Sequence, residues 1–202
     1  MDYTDIGFVL RGALAQVILF SLVPVIWWAV SARKKEKLHK WLGFIFPKAE
    51  KKPAVISLAV YVVVSVLLHL PVFSQITQPS ASHFTGMGAK ALLPAFIISF
   101  FQNAFAEELL FRGFLNKRFR SKMSLQGANI LQAAIFGAMH IVFAAATEVN
   151  LLSAAVMFTT TFIGGYMLGY LSEKIFSGSI LPAVILHGCG NFITHLIAAY
   201  TN

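Results

Sequence analysis

The chain has 202 residues, of which 57% are hydrophobic and 12% charged, and its mean hydropathy is +0.74. Soluble domains use roughly 45–50% apolar and about 25% charged residues, so this composition excludes an ordinary water-soluble fold and indicates a membrane protein. The net charge of +8 would suggest nucleic-acid binding in a soluble protein. Here the positive charges lie between apolar stretches, as the positive-inside bias produces. We therefore expect the lipid bilayer as a partner and no nucleic acid.

The single cysteine, Cys189, excludes a disulfide within the chain and provides no thiolate metal site. The chain begins MDYTD, which is acidic where a signal peptide is basic, and no small-residue cleavage site follows the first apolar run. We therefore expect the first apolar segment to remain in the protein as a membrane anchor.

Six stretches are long and apolar enough to cross a hydrocarbon core of about 30 Å, which takes roughly 20 helical residues. They cover about residues 13–31, 54–73, 91–115, 127–146, 151–171 and 179–200. The sequence therefore predicts an all-α fold, a polytopic bundle of about six transmembrane helices around a polar intramembrane cavity. We divide the chain into residues 1–90, with two spans and a basic loop, and residues 91–202, whose spans contain the polar motifs.

The loops between the predicted spans alternate between basic and poor in charge. The segments ARKKEKLHKWLGFIFPKAEKK, NKRFRSK and SEK hold 13 of the 16 lysines and arginines, so the positive-inside bias places them in the cytoplasm. We expect a multi-pass protein of the cell membrane of a prokaryote, with both termini outside. In the first segment Trp41, Phe44 and Phe46 favour an interfacial position on anionic lipid. A solvated loop that only fixes topology is an equal alternative.

Ionisable side chains at membrane depth cost at least ~2.5–3.5 kcal/mol each, so they face the protein interior and usually mark a functional site. We single out five such groups and one amide in three predicted spans. They are Glu107, Glu108 and Arg112 in the third span, His140 in the fourth, and His187 with the amide Asn191 in the sixth. At about 1.5 Å per helical residue they lie at compatible depths, which predicts one shared site.

The spacing within the third span predicts different neighbours for the carboxylates of Glu107 and Glu108. Glu108 and Arg112 are four residues apart, so a helix stacks them on one face as a charge-assisted pair. Glu107 is rotated by about 100° from Glu108 and can address another helix. An alternative is that Glu107, Glu108 and Arg112 form a cluster of ion pairs whose only role is to hold helices together.

The other two motifs also place polar groups on helix faces. Phe136 and His140 are four residues apart, so the ring can shield the imidazole, although a lone membrane histidine is more often a packing residue. His187 and Asn191 share a face and can direct two donors to one point. His195 continues that face by a turn; it either belongs to the site or packs, and packing is the favoured interpretation. Gly165 and Gly169 form a small-xxx-small pair that favours close helix contact.

A carboxylate, two histidines and an amide in a site shielded from water supply the groups that hydrolysis needs. A base takes a proton from water, and donors stabilise the oxyanion that develops on the attacked carbonyl. No GxSxG or HExxH pattern occurs, which removes the commonest signatures of serine hydrolases and zinc proteases. A thiol mechanism at Cys189 is a minor alternative, because only His187 could act as its positive partner.

The segments EELLFR, FGAMH and HGCGN occur in this order on three predicted spans. They resemble the EExxxR, FxxxH and HxxxN motifs of the CAAX-protease and bacteriocin-processing family of intramembrane proteases, also called the type II CAAX prenyl endopeptidase or Abi family. The resemblance covers about residues 91–200. It implies a helical membrane bundle with endopeptidase activity and a cavity between helices.

The resemblance also implies a role for each matching residue. Glu107 would activate the attacking water with assistance from His140. His187 and Asn191 would stabilise the oxyanion. Three residues would support the site, namely Glu108, Arg112 and Phe136.

Cofactor, substrate and function class stay open at this stage. Members of the family were described as metalloproteases, and Glu107, His140 and His187 could bind a divalent metal such as zinc. A water activated by glutamate alone uses the same residues, and we expect no obligatory metal. The expected substrate is a peptide, including a lipidated or prenylated one. The alternatives are a non-catalytic bacteriocin-immunity or peptide-binding membrane protein, and a proton-coupled transporter, which the absence of sequence repeats disfavours.

Overall fold

The computed structural model describes residues 2–75, 79–145 and 150–201. Within these residues the chain forms helices and turns and no strand, which confirms the predicted all-α class. In chain order the helices are α1 (Ile6–Ser31), α2 (Leu38–Trp41), α3 (Lys51–Gln75), α4 (Pro79–Ser82), α5 (Gly88–Arg120), α6 (Leu125–Ala145), α7 (Leu151–Ile175) and α8 (Leu181–Ala199). Among the described residues, α1, α5, α6, α7 and α8 are long and apolar enough to cross a membrane.

The predicted spans coincide with six of these helices. The second span, 54–73, falls on α3, but its side chains from residue 68 onward lie outside the described residues, so its crossing of the membrane stays a prediction. Residue 146, at the end of the fourth span, lies outside them as well. Helix α1 begins earlier than predicted because Asp5 caps it, with Asp5 Oδ1 accepting a hydrogen bond from Gly7 N at 2.8 Å.

The predicted loops NKRFRSK and SEK are wrong in part, because both contain helical residues. Lys117 and Arg120 belong to the last turn of α5, and Glu173 belongs to the last turn of α7. Glu173 is buried and pairs with Lys117 Nζ at 2.8 Å and with Arg120 Nη1. Lysine and arginine are favoured near a helix C-terminus, so these residues extend α5 and join it to the end of α7.

Helix α5 lies at the centre of the bundle and takes part in each of the three apolar clusters that are buried among the described residues. With α1 and α8 it forms a cluster that contains Val9, Ala13, Ala95, Ile98 and Ala199. With α1 and α6 it forms a second, which contains Phe20, Ala106, Phe111 and Phe136. Association of helices in lipid depends on close van der Waals packing, so these contacts fix the helices that carry the polar motifs.

The predicted small-residue pair, Gly165 and Gly169, forms a close contact between α7 and α6. A Cβ atom at Gly169 would overlap the side chains of Asn129 and Gln132. Both side chains donate across the contact, Asn129 to the carbonyl of Tyr166 at 2.8 Å and Gln132 to that of Gly165 at 3.0 Å. The prediction of close helix packing at this pair is confirmed.

The basic segment between α1 and α3 is partly built into the protein. Trp41 and Leu42 are buried against Leu109 and Phe114 of α5, and the guanidinium of Arg118 lies 3.9 Å above the Trp41 ring. Trp41 therefore does not lie on lipid, contrary to the interfacial interpretation, because α5 offers it an apolar contact and a cation. Further along this segment, Phe46 is 90% exposed.

The chain that follows α2 is hydrogen-bonded to the turn before α8. Ile180 N donates to the carbonyl of Gly43 at 3.0 Å, and Ser179 Oγ donates to the carbonyl of Ile45 at 2.6 Å. A Cβ atom at Gly43 would lie 2.5 Å from the carbonyl oxygen of Gly178, so this approach requires glycine. The contact fixes the N-terminal end of α8.

Candidate active site

The two motif glutamates lie between irregular parts of α5. Two π-helical segments, Ile98–Phe105 and Leu109–Asn116, flank a short α-helical stretch that contains Glu107 and Glu108. In a π turn each N–H bonds to the carbonyl five residues earlier, and such turns are rare and frequent at functional sites. The carboxylates are therefore presented by a helix whose local geometry departs from the regular α form.

Glu108 is the centre of a buried charge network. Its Oε1 atom lies 3.0 Å from Arg112 Nη1 and 2.8 Å from His187 Nδ1, and the side chains of Glu108 and Arg112 are 0% exposed. The predicted pair of Glu108 and Arg112 is thus formed. The Glu108 carboxylate accepts in the contact with His187, and His187 Nδ1 donates.

Glu107 faces the other nitrogen of the same imidazole ring. Its Oε2 atom lies 3.8 Å from His187 Nε2, and its side chain is 10% exposed. This separation is too long for a direct hydrogen bond. The Glu107 carboxylate can therefore accept a hydrogen bond from another group beside the ring, such as the water molecule that it is predicted to activate.

Phe136 lies at the centre of the site and connects its members. Its ring packs at 4.5 Å from the His140 ring and at 6.2 Å from the His187 ring, both in edge-to-face geometry. The guanidinium carbon of Arg112 lies 4.5 Å from the same ring. His140 Nδ1 donates to the carbonyl of Phe136 at 2.8 Å, which leaves Nε2 of a neutral ring as an acceptor.

The remaining predicted residues lie on α8 at different distances from this centre. Asn191 follows His187 by one helical turn and is partly exposed, whereas Cys189 is exposed. His195 lies apart from the site: its Nδ1 atom is hydrogen-bonded to Ser99 Oγ at 2.9 Å, and its ring packs on Phe84. The His195 side chain is thus buried against α5.

The sequence analysis missed Tyr61, which α3 contributes to the surroundings of the site. Tyr61 is hydrogen-bonded to Ser65 and lies close enough to Glu108 and Arg112 to interact with them electrostatically. Its only signal in the sequence is a hydroxyl-bearing residue within the aliphatic run AVYVVVS. No ionisable motif accompanies Tyr61, so the sequence predicts only a membrane span at this position.

The predicted metal ligands do not form a metal site. Among the described residues, no three His, Cys, Asp or Glu side chains are grouped closely enough to hold a metal ion. A catalytic zinc takes three protein ligands, whereas His187 directs its two nitrogens towards Glu108 and Glu107. The set Glu107, His140 and His187 therefore does not fit a preformed zinc site.

The comparisons with known proteins agree with the motifs. The sequence model of the type II CAAX prenyl endopeptidase Rce1-like family matches residues 89–193, more than half of the chain. The matched region contains each of the motif residues described above. No curated protein and no solved structure shows a significant match to the chain. The chain therefore belongs to the type II CAAX prenyl endopeptidase Rce1-like family of membrane proteases.

Proposed function

We propose that this protein hydrolyses a peptide bond within the membrane by means of a water molecule that Glu107 activates. The observation that supports this proposal most directly is that two adjacent carboxylates have different partners. Glu108 is occupied by Arg112 and His187, whereas Glu107 lies beside the same imidazole without a hydrogen bond to it. One carboxylate is thus structural, and the other is available as a base.

In the first step Glu107 takes a proton from water, and the hydroxide oxygen forms a bond to the carbonyl carbon of the substrate. His140 Nε2 assists as a second acceptor for this water. The carbonyl oxygen becomes an oxyanion. In the second step the Glu107 carboxyl returns the proton to the amide nitrogen, and the C–N bond breaks. The products are an amine and a carboxylic acid, which then loses its proton to the amine or to water, and Glu107 is a carboxylate again.

The oxyanion is stabilised by donors from α8. His187 Nε2 and the Asn191 side-chain amide supply these hydrogen bonds, as preorganised donors do in other acyl-transfer sites. Because His187 Nδ1 already donates to Glu108, donation from Nε2 as well requires a positively charged ring. The carboxylates of Glu107 and Glu108 offset that charge.

The supporting residues hold this arrangement in place. Arg112 fixes Glu108, and Glu108 fixes the orientation of the His187 ring through the 2.8 Å hydrogen bond. Phe136 is buried between the two histidines, so it limits their contact with bulk water. The substrate that the family favours is a peptide, including a prenylated one, and in the predicted orientation the site lies towards the cytoplasmic side.

The experiment is a cleavage assay with purified protein in detergent. A panel of quenched peptides, with and without a prenylated cysteine, is offered to the wild type, Glu107→Gln and His140→Ala. We expect Glu107→Gln to lower kcat by about 10²–10⁴-fold, the usual contribution of a general base. The matched control is Glu173→Gln, which removes another buried carboxylate, one that pairs with Lys117 away from the site, and we expect it to keep the wild-type kcat below its unfolding temperature.

Full activity of Glu107→Gln would contradict the proposed base. If the folded wild type cleaves none of the peptides, and Glu107→Ala keeps full biological activity, the chain is a non-catalytic member of its family. Thermal unfolding of each purified protein shows whether it is folded.

A further inference from the structure

Helices α5 and α8 share a second polar contact outside the catalytic group. Ser99 Oγ and His195 Nδ1 are hydrogen-bonded at 2.9 Å, and the two residues are 0% and 2% exposed. Neither residue matches a motif, and neither can reach a substrate from this buried position. In lipid a buried serine and histidine stay paired because no water replaces the lost partner.

This contact and the catalytic contact are equally spaced along both helices. Ser99 precedes Glu107 by eight residues on α5, and His195 follows His187 by eight residues on α8. The two helices therefore run antiparallel between the contacts. Eight residues of α8 span about 12 Å, so the Ser99–His195 bond lies two turns away from the reacting atoms.

The part of α5 between the two contacts is the π-helical segment Ile98–Phe105, whereas α8 is α-helical throughout. A π turn holds more residues than an α turn and advances by a smaller angle per residue. Conversion of this segment to regular α-helix would turn Glu107 about the helix axis relative to Ser99. The direction in which Glu107 points thus depends on keeping the π segment.

The close approach of the helices between the two contacts leaves little freedom to shift. The Phe100 ring occupies the space where a Cβ atom of Gly188 would lie, so the ring packs directly on the backbone of α8. Phe192 packs on Phe100 as well. The register of α5 against α8 is thereby fixed by apolar packing in the middle and by polar contacts at both ends.

We infer that Ser99 and His195 are positioning residues of the active site. Their hydrogen bond fixes the N-terminal end of the π segment to α8 and thereby sets the distance and orientation of Glu107 relative to His187. This inference rests on the proposed function, because it assigns the two residues a role in that reaction. A contact that served packing alone would affect stability and leave turnover unchanged.

The test compares pairs of variants that remove or keep the hydrogen bond. Ser99→Ala and His195→Leu remove it, whereas Ser99→Thr keeps a hydroxyl and His195→Asn keeps an amide near the position of Nδ1. Thr194→Val is the matched control, because the buried Thr194 hydroxyl donates only within α8, to the carbonyl of Gly190 at 3.0 Å.

Turnover of the quenched peptide is the first measurement. We expect Ser99→Ala and His195→Leu to lower kcat by about 10- to 100-fold with little change in KM, since a displacement of about 1 Å costs up to about 10²-fold. Ser99→Thr and His195→Asn restore most of the lost activity, and Thr194→Val equals the wild type. If Ser99→Ala does not fold, Ser99→Cys takes its place, with an intermediate loss of kcat expected from its weaker hydrogen bond.

The second measurement follows the environment of His187 by NMR and does not depend on turnover. The chain has six histidines, so ¹⁵N-histidine NMR in detergent gives few signals, and His187→Asn assigns the one that reports the bond to Glu108. We expect this signal to shift in Ser99→Ala and to stay in place in Thr194→Val. The inference is overturned if the removal variants lose thermal stability while kcat and the His187 signal stay unchanged. An inactive wild type would contradict the proposed function alone. A shift of the His187 signal in Ser99→Ala would still show that the Ser99–His195 hydrogen bond positions His187.

Discussion

Removal of the Arg112 charge tests how the site is held together. Arg112→Met keeps much of the side-chain length and leaves the fully buried Glu108 carboxylate with His187 alone. Arg112 Nη1 lies 3.0 Å from Glu108 Oε1, and both side chains are 0% exposed, so water cannot replace the lost partner. Breaking a buried pair by removing one member costs about 3–5 kcal/mol. We expect the free energy of unfolding to fall by that amount.

The double variant Arg112→Met with Glu108→Leu separates stability from activity. With both charges gone, no unpaired ion is left buried, and replacement of such a pair by apolar residues is often neutral. We therefore expect stability to return to within about 1 kcal/mol of the wild type, since neither charge remains to be desolvated. Activity does not return, because His187 Nδ1 has lost its acceptor. Loss of an aligned oxyanion donor lowers kcat by about 10²–10³-fold.

Unfolding in mixed detergent micelles gives the stability of each variant, and cleavage of the quenched peptide gives kcat for the same preparation. Two results would refute the reasoning. A double variant at least as unstable as Arg112→Met would show that the buried charges are not paired as described. A double variant with wild-type kcat would show that the Glu108–His187 hydrogen bond does not orient the His187 ring for the proposed reaction.

Three further predictions follow from the fold and the site. Gly188→Ala should lower the free energy of unfolding by about 1–3 kcal/mol, the usual cost of overpacking, because the added methyl overlaps the Phe100 ring. The measurement is thermal unfolding. Its control is Gly164→Ala, because a Cβ atom at Gly164 meets no described atom within 4 Å. Lys122→Cys, in a background without the native cysteine, should react with an impermeant maleimide in inverted vesicles only, and reaction in right-side-out vesicles would reverse the predicted orientation. Treatment of active protein with 1,10-phenanthroline should leave kcat unchanged, whereas a loss restored by added zinc would show that a metal takes part.

Local spacing predicted those parts of the site that lie on one helix. The four-residue separation of Glu108 and Arg112 and of Phe136 and His140 places each pair on one face, and both contacts are present. Depth counting predicted that α5 and α8 bring their polar groups to one level, as the contact between Glu107 and His187 shows.

Contacts between helices depend on rotation and register, which spacing along one helix does not contain. The hydrogen bond from His187 to Glu108 and the bond between Ser99 and His195 are of this kind. The π segments also escaped prediction, because a change from four- to five-residue hydrogen bonding leaves the apolar composition of a span unchanged. The sequence leaves Trp41 with two equal interpretations, an interfacial position and a solvated loop. Neither predicts its contact with α5, because an aromatic residue beside lysines is typical both of an interface and of a docked segment.

Trp41 and Leu42 lie outside the residues that match the family, 89–193. They nevertheless pack against Leu109 and Phe114 of α5, the helix that carries Glu107 and Glu108. A fragment that began at residue 89 would contain every motif and would leave this part of α5 uncovered. The folded unit is thus larger than the region that matches the family. Grafting the motif region onto another membrane scaffold would need a substitute for this aromatic support before the two glutamates could keep their separate tasks.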